Sequence, residues 1–184
     1  MRNKTPRHRP HENSEVGATL VEVMIAMVIL LIISLSLMGV VTTAIAMNNR
    51  NKIGSTGAML AQSVVEQIKA TVIGTGSSSL TDCTGTTFTI NTAPGGAALN
   101  GSLIDFTETS PPSNYHMTYV VQSPCTTSGL QPGTYDVRWN VSIVGAPLAP
   151  TNTYLITVGA RLLNHSEGNL IYPLAVNFRV MAGN

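Results

Sequence analysis

The sequence predicts an α+β protein in which a long N-terminal α-helix packs on an antiparallel β-sheet head. Three observations predict it: a long uncharged apolar stretch near the N-terminus, an apolar stripe at helical spacing that continues from it, and a switch to two-residue alternation toward the C-terminus. A chain of 184 residues suffices for one domain with a core plus accessory segments, and leaves little room for two independent globular domains. Only 10% of the residues are charged while 43% are hydrophobic, so polarity comes from Thr, Ser, Asn and Gly. A soluble globular domain ordinarily carries about a quarter charged residues.

Residues 1–17 are polar, rich in Arg, His, Asn and Pro, and show no apolar period able to build a core, which marks them as a processing or targeting leader. Four of the ten basic residues (Arg2, Lys4, Arg7, Arg9) and two of the nine acidic ones (Glu12, Glu15) lie there. The remainder therefore holds six basic against seven acidic side chains, and no basic surface for nucleic acid is expected.

Residues 18–53 form the predicted hydrophobic helix. No charged side chain occurs in 23–49, and 23–41 is almost wholly aliphatic, enough to span a hydrocarbon core of about 30 Å. The basic leader assigns its N-terminal side to the cytoplasm by the positive-inside rule, which makes the remainder an exported head. Residues 54–73 continue as an amphipathic half: Ala58, Ala61, Val65, Ile68 and Val72 repeat at three- and four-residue steps, with Gln62, Glu66 and Lys69 off that stripe. A single helix over 18–72 would measure about 80 Å. Gly39, Gly54 and Gly57 are its expected weak points, each costing about 1 kcal/mol relative to Ala.

Gly74-Thr75-Gly76-Ser77-Ser78-Ser79 reads as a flexible connection to a β-rich head over 74–184. The clearest strand is 135–144, where Tyr135, Val137, Trp139, Val141 and Ile143 share an apolar face. Asp136, Arg138, Asn140 and Ser142 share the other, as in a half-buried antiparallel strand. Further strands are expected over 117–121, 154–162 and 174–180, with turns over 145–150 and 164–169 and at Gly95-Gly96. The helix stripe and the apolar sheet face each need a partner, so they are expected to pack together, with Trp139 in that core.

The two cysteines, Cys83 and Cys125, lie in Thr/Ser/Gly/Pro-rich surroundings. In an exported head they are expected to form a disulfide; closing a loop of roughly 40 residues contributes about 4 kcal/mol in the chain-entropy picture. The alternative is two free thiols. No metal or other cofactor is expected: His8 and His11 belong to the leader, and His116 and His165 stand far apart in sequence. There is no Gly-x-Ser-x-Gly setting for a serine nucleophile and no phosphate-binding glycine loop, which points to a non-enzymatic protein.

At the leader–helix junction the sequence runs Gly17-Ala18-Thr19-Leu20-Val21-Glu22 and then Val23-Met24-Ile25-Ala26. It resembles the prepilin cleavage and methylation motif of type IV pilins and type II secretion pseudopilins: a glycine, a cut, four residues, and a glutamate in a hydrophobic helix. The resemblance implies a pilin-like fold, removal of the leader by prepilin peptidase after Gly17, and methylation of the new amino terminus at Ala18. It also implies that Glu22 sets the register of assembly by meeting the N-terminus of a neighbouring subunit. A lone carboxylate so placed is expensive in lipid unless it is paired or neutralised. Ala18 stands where many major pilins have Phe. The run Tyr135-Asp136-Val137-Arg138-Trp139-Asn140-Val141 resembles the Tyr-x-Val-x-Trp-x-Val strand of PilV-type minor pilins. The expected role is thus a minor pilin whose partners are other pilin subunits, prepilin peptidase, the inner-membrane assembly platform and, before assembly, membrane lipid. Its expected locations are the bacterial inner membrane and then the pilus.

Competing readings remain open in the sequence. A minor pseudopilin of a type II secretion system has the same parts, and a membrane-anchored adhesion or ligand-binding protein would also expose a β head. Ala44-Ile45-Ala46 imitates a signal peptidase site, and a plain single-pass anchor would keep its leader. The apolar run is too long for a signal peptide, which would also leave Glu22 unexplained.

Overall fold

The computed structural model describes residues 19–121, 133–145, 152–163 and 175–183. The chain divides into two compact units, Met1–Ala44 and Ile45–Asn184, and one helix, α1 (Leu20–Lys69), contributes to both. The helix runs unbroken through Gly39, Gly54 and Gly57.

In the first unit the described residues are the apolar stretch of α1. Its large side chains, Leu30, Leu31, Ile32, Leu35 and Leu37 among them, are exposed all round. The hydroxyls in this stretch turn back onto their own helix: Ser34 Oγ donates to the Leu30 carbonyl at 2.8 Å, Ser36 Oγ to Ile32 at 2.9 Å and Thr43 Oγ1 to Gly39 at 2.9 Å. Each hydroxyl is satisfied within its own helix.

The second unit packs the remainder of α1 on antiparallel sheets. A hairpin of β1 (Ser77–Thr81) and β2 (Thr87–Asn91) leads to β3 (Gly95–Gly96) and to a small ribbon of β4 (Leu99–Asn100) and β5 (Leu103–Ile104). Then follow β6 (His116–Val120), β7 (Thr134–Ile143), β8 (Thr153–Leu162) and β9 (Val176–Gly183). The main sheet has the order β3-β7-β8-β9, with β6 also paired to β7. Strands with period-two patterning occupy nearly the ranges expected; Leu174 lies outside the described residues.

The core forms where the two apolar periods meet. Leu60, Ala61, Val64, Val65 and Ile68 of α1 join Tyr135, Val137, Trp139 and Val141 of β7 and Ile156, Val158 and Ala160 of β8. Trp139 is fully buried, and its Nε1 donates to the Asn91 carbonyl at 3.0 Å, so the ring's polar edge is matched. The helix ends at Lys69, so Val72, expected in the stripe, is 62% exposed and Ile73 enters the core instead. Beyond that end, Thr92 Oγ1 reaches both the Val72 carbonyl (3.2 Å) and the Gly76 carbonyl (2.6 Å), joining the two sides of the turn.

Three further features depart from the sequence expectation. Residues 77–79, read as flexible linker, belong to β1, because 77–81 finds a matching strand in 87–91 with Leu80 opposite Phe88. Gly95 and Gly96 are a strand segment paired with Val141 and Asn140. Both have left-handed φ (127° and 120°), and a Cβ on Gly96 would collide with the Trp139 carbonyl and the Tyr115 ring. Finally, the polar face of β7 is covered: Asp136 and Arg138 are each only 6% exposed. The segment 97–112 crosses that face. Ile104 N donates to Asn177 Oδ1 of β9 at 3.0 Å, and a Cβ on Gly159 would lie 2.9 Å from Ile104, so glycine lets the segment approach β8.

Candidate functional site

Of the residues that the sequence singles out, Glu22 and Cys83 lie among the described residues. Gly17 and Ala18 lie outside the described residues, as does Cys125. Glu22 lies in the first turn of α1 in the first unit, and Cys83 lies in the second.

Thr19 stands just before the helix, which starts at Leu20. Thr19 Oγ1 accepts from the Glu22 N–H at 3.3 Å and the Thr19 carbonyl accepts from the Val23 N–H at 3.2 Å, so Thr19 is the N-cap and Glu22 the third helical residue. Thr19-Leu20-Val21-Glu22 has the Thr-x-x-Glu pattern of a capping box, a signal present in the sequence and passed over there. In the first turn the Glu22 carboxylate also lies where the helix dipole favours negative charge. Its side chain is exposed among exposed Leu20, Val21, Val23 and Met24, and the next charged residue along the helix is Arg50. Chemically this is a strong acceptor in an apolar setting, suited to a charge-assisted bond from a cationic donor.

Cys83 sits in the β1–β2 turn. Asp82 Oδ1 shapes that turn by accepting from the Thr84 N–H (2.9 Å), the Thr84 hydroxyl (2.7 Å) and the Thr86 N–H (2.9 Å). The Cys83 N–H donates to the Val120 carbonyl at 3.4 Å, so the turn is held beside β6. Cys83 is disulfide-bonded, and the sequence contains one other cysteine, Cys125.

A buried charge cluster lies under the 97–112 segment. Arg138 Nε donates to both Asp136 oxygens (3.0 and 3.1 Å) and its Nη2 to Oδ2 at 2.9 Å. Its Nη1 donates to the Glu108 carbonyl at 2.9 Å and the Asp105 carbonyl at 3.3 Å. Arg161 adds Nε and Nη2 contacts to Asp136 Oδ2, both 3.1 Å, from a half-exposed position. The Phe106 ring lies 5.3 Å from the Arg138 guanidinium and 4.8 Å from that of Arg161, within cation–π range. Thr107 donates its hydroxyl and N–H to Asp105, which holds that carboxyl below the usual aspartate range, with a smaller contribution from Arg138. The cluster latches the crossing segment to the sheet. Its only sequence signal is an Asp-x-Arg step in a charge-poor head, and alternation assigns that step to solvent.

Among the described residues no group of three or more His, Cys, Asp or Glu side chains is arranged to hold a metal. His116 pairs with Arg138 across the β6–β7 ladder, and its Nδ1 lies 3.1 Å from the Pro112 carbonyl. No family model, curated protein or solved structure matches this chain.

Proposed function

We propose that the chain is a pilin-like structural subunit, of the minor type IV pilin kind, held in the membrane by α1 before it enters a fibre. One observation carries this reading: a 50-residue helix whose first part exposes apolar side chains on every side and bears a single carboxylate, Glu22, in its first turn. An exposed apolar surface of that extent needs lipid or other helices around it. The back-bonded serines and threonines suit the same surroundings. The later part of the helix commits one face to the sheet through Leu60, Val64 and Ile68, whereas the apolar side chains of the first part are exposed.

In this reading the leader is cut after Gly17, the amine of Ala18 becomes the new N-terminus, and the subunit waits in the inner membrane. On entering the fibre, Glu22 accepts from the amine of a neighbouring subunit. A charge pair in lipid is favourable only when both partners meet, so the pairing fixes axial register. The head takes no chemical role.

Glu22→Ala tests the assignment. The variant is expected in the membrane fraction at wild-type level and absent from sheared fibres, and wild-type incorporation would refute the role of Glu22. Thr19 still caps the helix in that variant, so helix loss does not account for the effect.

A further inference from the structure

Resting on the membrane reading above, we propose that Arg50, with Lys52 behind it, binds the phosphate of an anionic phospholipid where α1 leaves the bilayer. The stretch 23–49 has no charged residue. As a helix those residues rise about 40 Å, which matches a bilayer of about 30 Å hydrocarbon plus its headgroup layers. Met47 is the last large exposed apolar side chain before Asn48, Asn49, Arg50, Asn51 and Lys52. The first two cations after the span thus fall at headgroup level.

Arg50 also has a groove beside it. An open cavity of about 340 Å³ is lined by Arg50, Asn51, Ile53, Gly54 and Ser55 of α1 and by Ala175 and Val176 at the start of β9. A Cβ on Gly54 would have nothing within 4 Å, so the backbone is open to an incoming group. The donors offered are the Arg50 guanidinium and the Asn51 amide. Ser55 adds none, because its hydroxyl already donates to the Lys52 carbonyl at 3.0 Å. Arg50 and Lys52 are exposed, and neither makes a side-chain hydrogen bond or ion pair among the described residues. Lys52 points about 200° round the helix from Arg50 and meets a second headgroup at the same level. A planar guanidinium suits bidentate phosphate contact, whereas the ammonium acts as a point charge.

The test uses the full chain in nanodiscs of phosphatidylcholine containing a minor share of phosphatidylglycerol. Spin-labelled forms of each lipid report their relative association with the protein. Preference for phosphatidylglycerol is expected at about five-fold per basic side chain, the membrane-surface value. It falls by about that factor for each residue replaced in Arg50→Gln/Lys52→Gln, the leader cations Arg2, Lys4, Arg7 and Arg9 keeping their own share, and is lost in 1 M salt, where the screening length is about 3 Å. Arg50→Gln alone loses more than Lys52→Gln, because only Arg50 lines the groove. Burial of the single tryptophan, read by its fluorescence, confirms that the variants are folded. Equal preference in wild type and double variant overturns the proposal, as does displacement of the labelled lipid by added inorganic phosphate. A chain that enters no disc overturns the membrane reading itself; one that enters without lipid preference overturns this proposal alone.

Discussion

Replacing Asp136 with Asn should destabilise the head by about 3–5 kcal/mol, the cost of removing one partner of a buried ion pair. The Arg138 side chain is 7% exposed and directs three contacts at the Asp136 carboxylate, so the variant leaves a buried guanidinium without a counter-charge. Arg161 contributes less, because its side chain is 35% exposed and water screens the pair. Arg161→Ala alone should therefore cost about 1 kcal/mol or less. The double change Asp136→Leu/Arg138→Met removes both charges at once and should be less damaging than Asp136→Asn. It still sacrifices the Arg138 bonds to the Asp105 and Glu108 carbonyls, about 1 kcal/mol each. Urea unfolding of the detergent-solubilised chain, followed by fluorescence of buried Trp139, gives all three values. If Asp136→Asn lies within about 0.5 kcal/mol of wild type, the range of an ordinary surface change, the latch is wrongly assigned. A double variant worse than the single would refute the charge argument even if the single is severe.

Gly57→Ala should stabilise the second unit by up to about 1 kcal/mol: the new methyl would lie 3.6 Å from Tyr135 and Val176 in ordinary contact, and the helix gains the propensity of Ala. The same unfolding assay checks it, and a loss would mean that the helix sits closer to the sheet than described. Alkaline titration offers a separate check. The hydroxyls of Tyr115, Tyr119 and Tyr135 donate to the carbonyls of Ala93, Thr81 and Ile53, and burial raises all three pKa values above 10.0, with Asp82 adding to the rise at Tyr119. A raised tyrosine pKa stabilises the folded state below the unfolded value and loses that contribution as pH climbs through the folded one. Stability should thus hold up to about pH 10 and fall above it, with tyrosinate absorbance rising alongside unfolding; ionisation of all the tyrosines without loss of structure would contradict this.

The parts of the fold that rest on one dominant period were legible in the sequence. An unbroken aliphatic run, a stripe at 58, 61, 65 and 68, and alternation through Trp139 each have a single satisfactory structure. Residues whose placement depends on distant partners were not legible. Ser77–Thr81 is too short and polar to declare itself a strand without its mate, and Gly95-Gly96 looks like a turn until β7 is beside it. Asp136 and Arg138 alternate correctly onto the outer face, but alternation cannot foresee that 97–112 covers that face. At the junction the sequence drew attention to Glu22 as a charge in an apolar run. It carried an equally plain local signal, Thr19 three residues earlier, and the structure draws the two together as a helix cap.

The most direct test of the central claim is the N-terminus of the mature protein, read by sequencing and intact mass on material from the native membrane. A processed pilin-like subunit begins at Ala18 with a methylated amine. A chain that begins at Met47, or that keeps residues 1–17, contradicts the account.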